Sequence, residues 1–155
     1  MEQGEYEVMY RNEDEHWWYW GLRDLLLRQA YRSATPGTPL RILDAGCGTG
    51  RNLAGLSWAK AFGIEMAAEA FPYLRKRGLD TVARGSIARL PFGDATFDLV
   101  LSADVLCCVE PPGDVASARE FHRVLKPGGT LLLNLALLRV RQISEACGRN
   151  VVPQR

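Results

Sequence analysis

Apolar and polar positions change period several times along the chain. Trp18, Leu22, Leu25, Leu26 and Gln29 or Ala30 recur at steps of three and four, the period of a helix that buries one face. That run ends before residues 33–39, whose Pro and Gly content predicts a linker. Beyond it, short apolar runs alternate with helical stretches. They predict strands at residues 40–44, 59–65, 80–84, 97–102 and 130–137, and helices at 51–56, 67–77 and 114–126. Pro72 falls inside the second of these helices, where it would cost about 3 kcal/mol, so the helix proper is expected to start there. At the end of the third, Lys126 is a cation at a helix C-terminus, Pro127 forbids continuation, and Gly128 with Gly129 supply a turn into the fifth strand. Strand and helix in alternation predict an α/β fold with a doubly wound, mostly parallel sheet, which binds ligands at the carboxyl ends of its strands.

Candidate chemistry follows the first strand. Ile42, Leu43, Asp44, Ala45, Gly46, Cys47, Gly48, Thr49 and Gly50 carry an apolar run into an acid and then into glycines at every second position. Glycine permits positive φ and leaves no Cβ between the main chain and a ligand lying on it. In a dinucleotide-binding turn, G-x-G-x-x-G counted from Gly46, the third glycine would fall on Arg51; here it is Gly50. The other reading is a glycine-rich βα turn that holds no ligand. Further on, Glu65 closes the apolar run of residues 61–64, at the strand tip where doubly wound folds place a carboxylate for ribose hydroxyls. A solvated strand-end acid is the alternative.

The pattern D-x-G-x-G-x-G from Asp44 to Gly50 resembles the first motif of the class I S-adenosylmethionine-dependent methyltransferases, in particular methyltransferase type 11-like domains. Residues 89–100, from Arg89, Leu90, Pro91 and Phe92 to Leu99 and Val100, are similar to that family's loop and fourth strand. His122 to Gly129 resembles its helix end and the turn before the fifth strand. The resemblance runs from about Leu40 to Leu135. It implies a Rossmann-like methyltransferase fold of five strands lacking the last two, S-adenosylmethionine as cofactor, and methyl transfer to an unidentified small-molecule acceptor. Cofactor contacts are then implied for Asp44, Gly46, Cys47, Gly48, Gly50, Glu65, Met66, Ser86, Ile87 and Ala103. Ser86 stands where relatives often have Asp, so its hydroxyl would meet the adenine amino group without charge; Ile87 would pack on adenine or belong to the core. The sulfonium donor is already activated, so the protein has mainly to align donor and acceptor and exclude water. No catalytic residue is assigned. After the fourth strand, where the family commonly reads Val-Leu-Glu-His, this chain has Val105, Leu106, Cys107 and Cys108.

The stretch His16, Trp17, Trp18, Tyr19, Trp20 is similar to one ahead of the sheet in some bacterial members. Trp18 is expected to seal its helix against the core. Trp17 and Tyr19 serve either as a lid or substrate pocket or as packing; His16 and Asp104 complete the substrate-pocket candidates. A lone histidine is more often a hydrogen-bonded structural group, the expectation for His122. Residues 139–155 carry Arg139, Arg141, Arg149 and Arg155 without a strand-turn-strand pattern. The expected organisation is an aromatic helix and linker at 1–39, a cofactor domain at 40–138 and an atypical tail at 139–155, read as a truncated terminus, a natural variant or half of a split protein. An uncovered fifth strand would invite self-association.

Composition narrows the alternatives. The chain has 155 residues, one domain's worth, with 19 basic and 18 acidic side chains, so no strong field favours nucleic acid or an anionic membrane. Four cysteines without C-x-x-C pairing predict reduced thiols, a cytoplasmic protein and no metal site. Residues 1–15 hold six acids and one arginine, which is not a signal peptide. The apolar run of residues 131–138, broken by Asn134, is too short to span a bilayer. Two other classes stay in view: a non-catalytic cofactor-binding module, and a nicotinamide-dependent oxidoreductase, which the glycine spacing opposes.

Overall fold

The computed structural model describes residues 3–34 and 38–135. Its helices are α1 (Gln3–Glu15), α2 (Trp17–Arg32), α3 (Arg51–Ala54), α4 (Phe71–Lys76) and α5 (Gly113–Val124). The strands are β1 (Arg41–Ala45), β2 (Lys60–Glu65), β3 (Val82–Arg84), β4 (Phe97–Ala103) and β5 (Leu125–Asn134). Short 3₁₀ turns lie at Ala68–Ala70 and Leu106–Cys108.

All five strands run parallel in the order β3-β2-β1-β4-β5. The order reverses between β1 and β4, and a crevice opens at such a switch point outside the carboxyl ends. β1 is central, hydrogen-bonded to β2 and β4, which explains why it reads as an unbroken apolar run rather than an alternation. Its neighbouring residues point to opposite faces. Leu43 and Ala45 pack with Ile64, Phe97 and Val100 beneath Phe121 and Val124 of α5. Ile42 packs on the other face with Leu99 and Leu101, against Leu26 and Ala30 of α2. The sheet is thus covered on both sides, as a doubly wound fold requires, and α2 belongs to the same core as the strands.

Several expectations need correction. The acidic segment ahead of His16 is a helix, α1, because Tyr6, Met9, Tyr10 and Glu13 share one face at spacings of three and four. Trp18 does not seal the core: it is 54% exposed, and Leu26 and Ala30 fill that role two and three turns later. α3 is a single turn, ended at Gly55. The helix expected at 67–77 divides into the 3₁₀ turn and α4, with Pro72 in its first turn, where its missing N–H costs nothing. The third predicted helix stops at Val124. Leu125 is already extended and pairs with Phe97, while Thr130 pairs with Leu99, so the intervening residues, Lys126 to Gly129, bulge within β5. Lys126 therefore meets no helix C-terminus; its Nζ donates to Asp98 Oδ1 at 2.7 Å. His122 stands exposed on α5 rather than packed. Residues 35–37 of the linker, the end of the predicted fifth strand beyond residue 135, and the tail at 139–155 lie outside the described residues.

Candidate functional site

The glycine loop leaves β1 at the crevice. Gly46, Gly48 and Gly50 all have positive φ, at 85°, 54° and 86°. Each has a neighbour where a Cβ would stand. For Gly46 it is Val105 Cγ2, at 2.5 Å; for Gly48, the methyl of Met9, at 2.8 Å; for Gly50, Leu74 of α4 and Leu79 just after that helix. The loop hangs from β2. The N–H groups of Gly46 and Cys47 donate to the Ile64 carbonyl, at 2.8 and 3.0 Å. Glu65 then takes the Gly48 N–H on Oε2 at 2.9 Å and the Ala67 N–H on Oε1 at 2.8 Å. A carboxylate oxygen accepts more than one bond, so both keep capacity for a ligand hydroxyl.

Asp44 is the anomaly. It is 1% exposed, and its Oδ2 has no hydrogen-bond partner among the described residues. Burial, reinforced by the charges of Glu13 and Glu65, pushes its carboxyl up to about 7. A buried acceptor left unpaired costs about 1 to 3 kcal/mol, and folds retain such groups where a ligand satisfies them. Cys47, at the next turn, is a buried thiol pushed far up by its burial and by Asp44 and Glu65.

α1 lies directly on this loop. Its Glu13 carboxylate accepts the Thr49 hydroxyl and pairs with Arg77 at 3.0 Å. Asp14 pairs with Arg51 and with Arg77, the latter at 3.3 Å. Arg23 of α2 donates to the Glu13 carbonyl at 2.7 Å. Tyr6 is buried and its hydroxyl is pushed up to about 12 by burial and by the nearby Glu65 charge.

A strand, an acid, a glycine loop and a second acid one strand over stand together at the carboxyl end of the sheet. The family model described as a methyltransferase domain matches residues 43–133, from β1 through β5. The chain belongs to the class I methyltransferase family. It is 39% identical over 107 residues to the malonyl-[acyl-carrier protein] O-methyltransferase of Erwinia pyrifoliae, a match covering 65% of this chain and 39% of that enzyme. A solved SAM-dependent methyltransferase from Thermotoga maritima shares 29% identity with a TM-score of 0.56, over 81% of this chain and 59% of that one. A Pyrococcus horikoshii protein of known structure matches in fold, with a TM-score of 0.65 at 22% identity, over 94% of this chain and 68% of that one. The chain spans well under two thirds of the length of the curated relatives it matches.

The cofactor of such a methyltransferase domain is S-adenosylmethionine, and the residues present fit it. Glu65 bonds the loop through the Gly48 N–H, and the orphaned oxygen of the buried Asp44 suits the cationic end of a sulfonium amino acid. Met66 follows β2 and is 67% exposed at the rim. Ser86 Oγ accepts the Ala88 N–H at 3.2 Å, while Ile87 is buried in the core beside Leu90 and Phe97. Ala103 ends β4, and Asp104 follows at φ 57°, its Oδ1 accepting Asn134 Nδ2 at 2.7 Å; burial raises its carboxyl. His16 caps α2 by accepting the Trp18 N–H on Nδ1, and its ring lies against Trp17 and Tyr19 at 5.9 and 6.2 Å between centroids. Trp17 is 73% exposed. Sequence reasoning missed Tyr6, Met9, Glu13 and Arg77. The first three were legible as one helical face; Arg77 had no local signal.

Proposed function

We propose that this domain binds S-adenosylmethionine in the crevice between β1 and β4 and takes part in methyl transfer to a small-molecule acceptor. The observation that carries the reading is the buried, unpartnered Asp44 carboxylate oxygen beside three positive-φ glycines. Bound there, the cofactor supplies an activated methyl group on a sulfonium. Asp44 would accept from the cofactor's ammonium, Glu65 from its ribose hydroxyls, and the loop of Gly46, Cys47, Gly48 and Gly50 would border it. Ser86 and Ile87 would border the adenine, with Met66 at the rim. Ala103 and Asp104 at the end of β4, with the aromatic start of α2 (His16, Trp17 and Tyr19), would border the acceptor. Orienting the acceptor and excluding water are the tasks left to the protein.

A small acceptor rather than nucleic acid fits the near-neutral charge of +1. No helix of the described residues is long and apolar enough to cross a membrane. Cytoplasmic residence belongs to the same reading, supported by the free thiols of Cys47 and Cys107. Calorimetric titration with S-adenosylmethionine, S-adenosylhomocysteine and NAD, followed by a methyl-transfer assay, tests the proposal. Binding of the first two with turnover is expected. Binding without turnover favours a non-catalytic module, and binding of NAD alone refutes the assignment.

A further inference from the structure

We propose that Glu13 and Arg77 are positioning residues of the cofactor site, gripping Thr49 between them and so holding the glycine loop in its ligand-receiving shape from α1 and α4. The inference rests on the cofactor reading above and names the contacts on which that affinity depends.

Thr49 stands between two glycines at positive φ, so the peptides around it have wide freedom of their own. Two of its groups are held. Its hydroxyl donates to the Glu13 carboxylate, and its carbonyl accepts from Arg77 Nε at 3.1 Å. The two grips are one unit, because Arg77 Nη2 also donates to Glu13 Oε2 at 3.0 Å. A third arm, Nη1, reaches Asp14 at 3.3 Å. Only a planar guanidinium presents donors to a carbonyl and two carboxylates at once; an ammonium on a flexible stem does not.

This is not a surface ion pair of small consequence. The Arg77 and Glu13 side chains are 9% and 12% exposed, and Thr49 is fully buried. The grip is also braced by packing. The guanidinium lies over the Tyr10 ring at 4.3 Å, Tyr10 packs on Tyr73 at 5.0 Å, and Met9 rests on Gly48. α1, the loop and the end of α4 therefore move together. If α1 lifts, Thr49 loses its acceptor and the loop its shape, although neither Glu13 nor Arg77 need touch the cofactor.

The test is calorimetric titration of the full chain with S-adenosylhomocysteine, alongside amide hydrogen exchange of residues 46–50. Thr49→Val and Arg77→Lys should each weaken binding by about 10-fold, the scale of one hydrogen bond to a charged group. Thr49→Ser, which keeps the hydroxyl, should stay within about two-fold of the parent on the same scale. The double variant should lose little more than either single one, since both break the same unit. Loop amides should exchange faster in the weakened variants even without ligand, a readout that cofactor affinity does not enter. Arg11→Ala, which removes only an exposed pair with Glu7 on α1, should change nothing. Equal affinity and equal exchange in Thr49→Val would overturn the inference. Tighter binding in Arg77→Lys would also overturn it, showing α1 to be a cover that must leave. A parent chain that fails to bind overturns the cofactor reading and this inference with it, whereas a parent that binds beside unaffected variants overturns this inference alone.

Discussion

Replacing Asp44 with Asn should make the ligand-free chain more stable while damaging its site. The carboxyl is 1% exposed, and its Oδ2 has no partner among the described residues. Burial first, then the charges of Glu13 and Glu65, raises its pKa from 3.8 to about 7. A rise of that size corresponds to about 4 kcal/mol between the protonated and ionised forms. The sign follows from proton binding. Between pH 4 and 7 the folded chain holds a proton on Asp44 that the unfolded chain has released, so stability falls as pH rises through that window. The contribution is fully present below the unfolded pKa and gone above about pH 7. Asn carries no such charge. Asp44→Asn should therefore gain about 2 to 4 kcal/mol at pH 8 over the parent, less near pH 5, and lose the corresponding slope. Urea denaturation of both proteins from pH 5 to 8 measures it, and the difference between the two curves isolates this residue. Titration with S-adenosylhomocysteine should show affinity falling by about 1.5 to 3 kcal/mol, the worth of a hydrogen bond to a charged group. A variant less stable than the parent at pH 8, or one that binds normally, would refute the reasoning. Stability gained by removing a site's strained charge is the trade expected of functional residues.

Glu65→Gln keeps one acceptor oxygen but turns an NH₂ toward the N–H of Gly48 or Ala67, so it should cost about 1 to 3 kcal/mol of stability and a similar amount of cofactor affinity. Unchanged calorimetry and unchanged melting would show that its carboxylate supports neither the loop nor the cofactor. Gly48→Val meets the Met9 methyl at 2.8 Å and a φ of 54° that a branched side chain rarely adopts. Binding should fall steeply and the amides of α1 should exchange faster; normal binding would remove the loop from the cofactor site. β5 is an outer strand of the described sheet, with Leu131 and Leu133 at 40% and 37% exposure, and we propose that it pairs with a second copy of the chain as concentration rises. A single monomeric species across micromolar concentrations in sedimentation would count against this.

Strand order along the chain, the parallel sheet and the glycine loop were legible in the sequence, because each is written in local chemistry. β1 reads as apolar because it is buried on both faces, and Gly46, Gly48 and Gly50 read as glycine because positive φ and close packing admit little else. Glu65 was legible from its place at a strand tip. Where helices stop was less so: Leu125 leaves the helix not through a cap of its own but because Phe97 of β4 offers it a partner. Trp18 looks like a core residue by type and period, yet it is exposed, standing in the first turn of α2, two and three turns ahead of Leu26 and Ala30, which meet the sheet. Only the tertiary structure brings Glu13 to Thr49 and Arg77, 36 and 64 residues away along the chain. Only it buries Asp44 near Glu13 and Glu65 and so raises its pKa. Backbone conformation and burial periodicity are short-range and leave a local record in the sequence, whereas the electrostatics of a site depend on which distant side chains the fold brings within a few ångströms, and no single segment carries that.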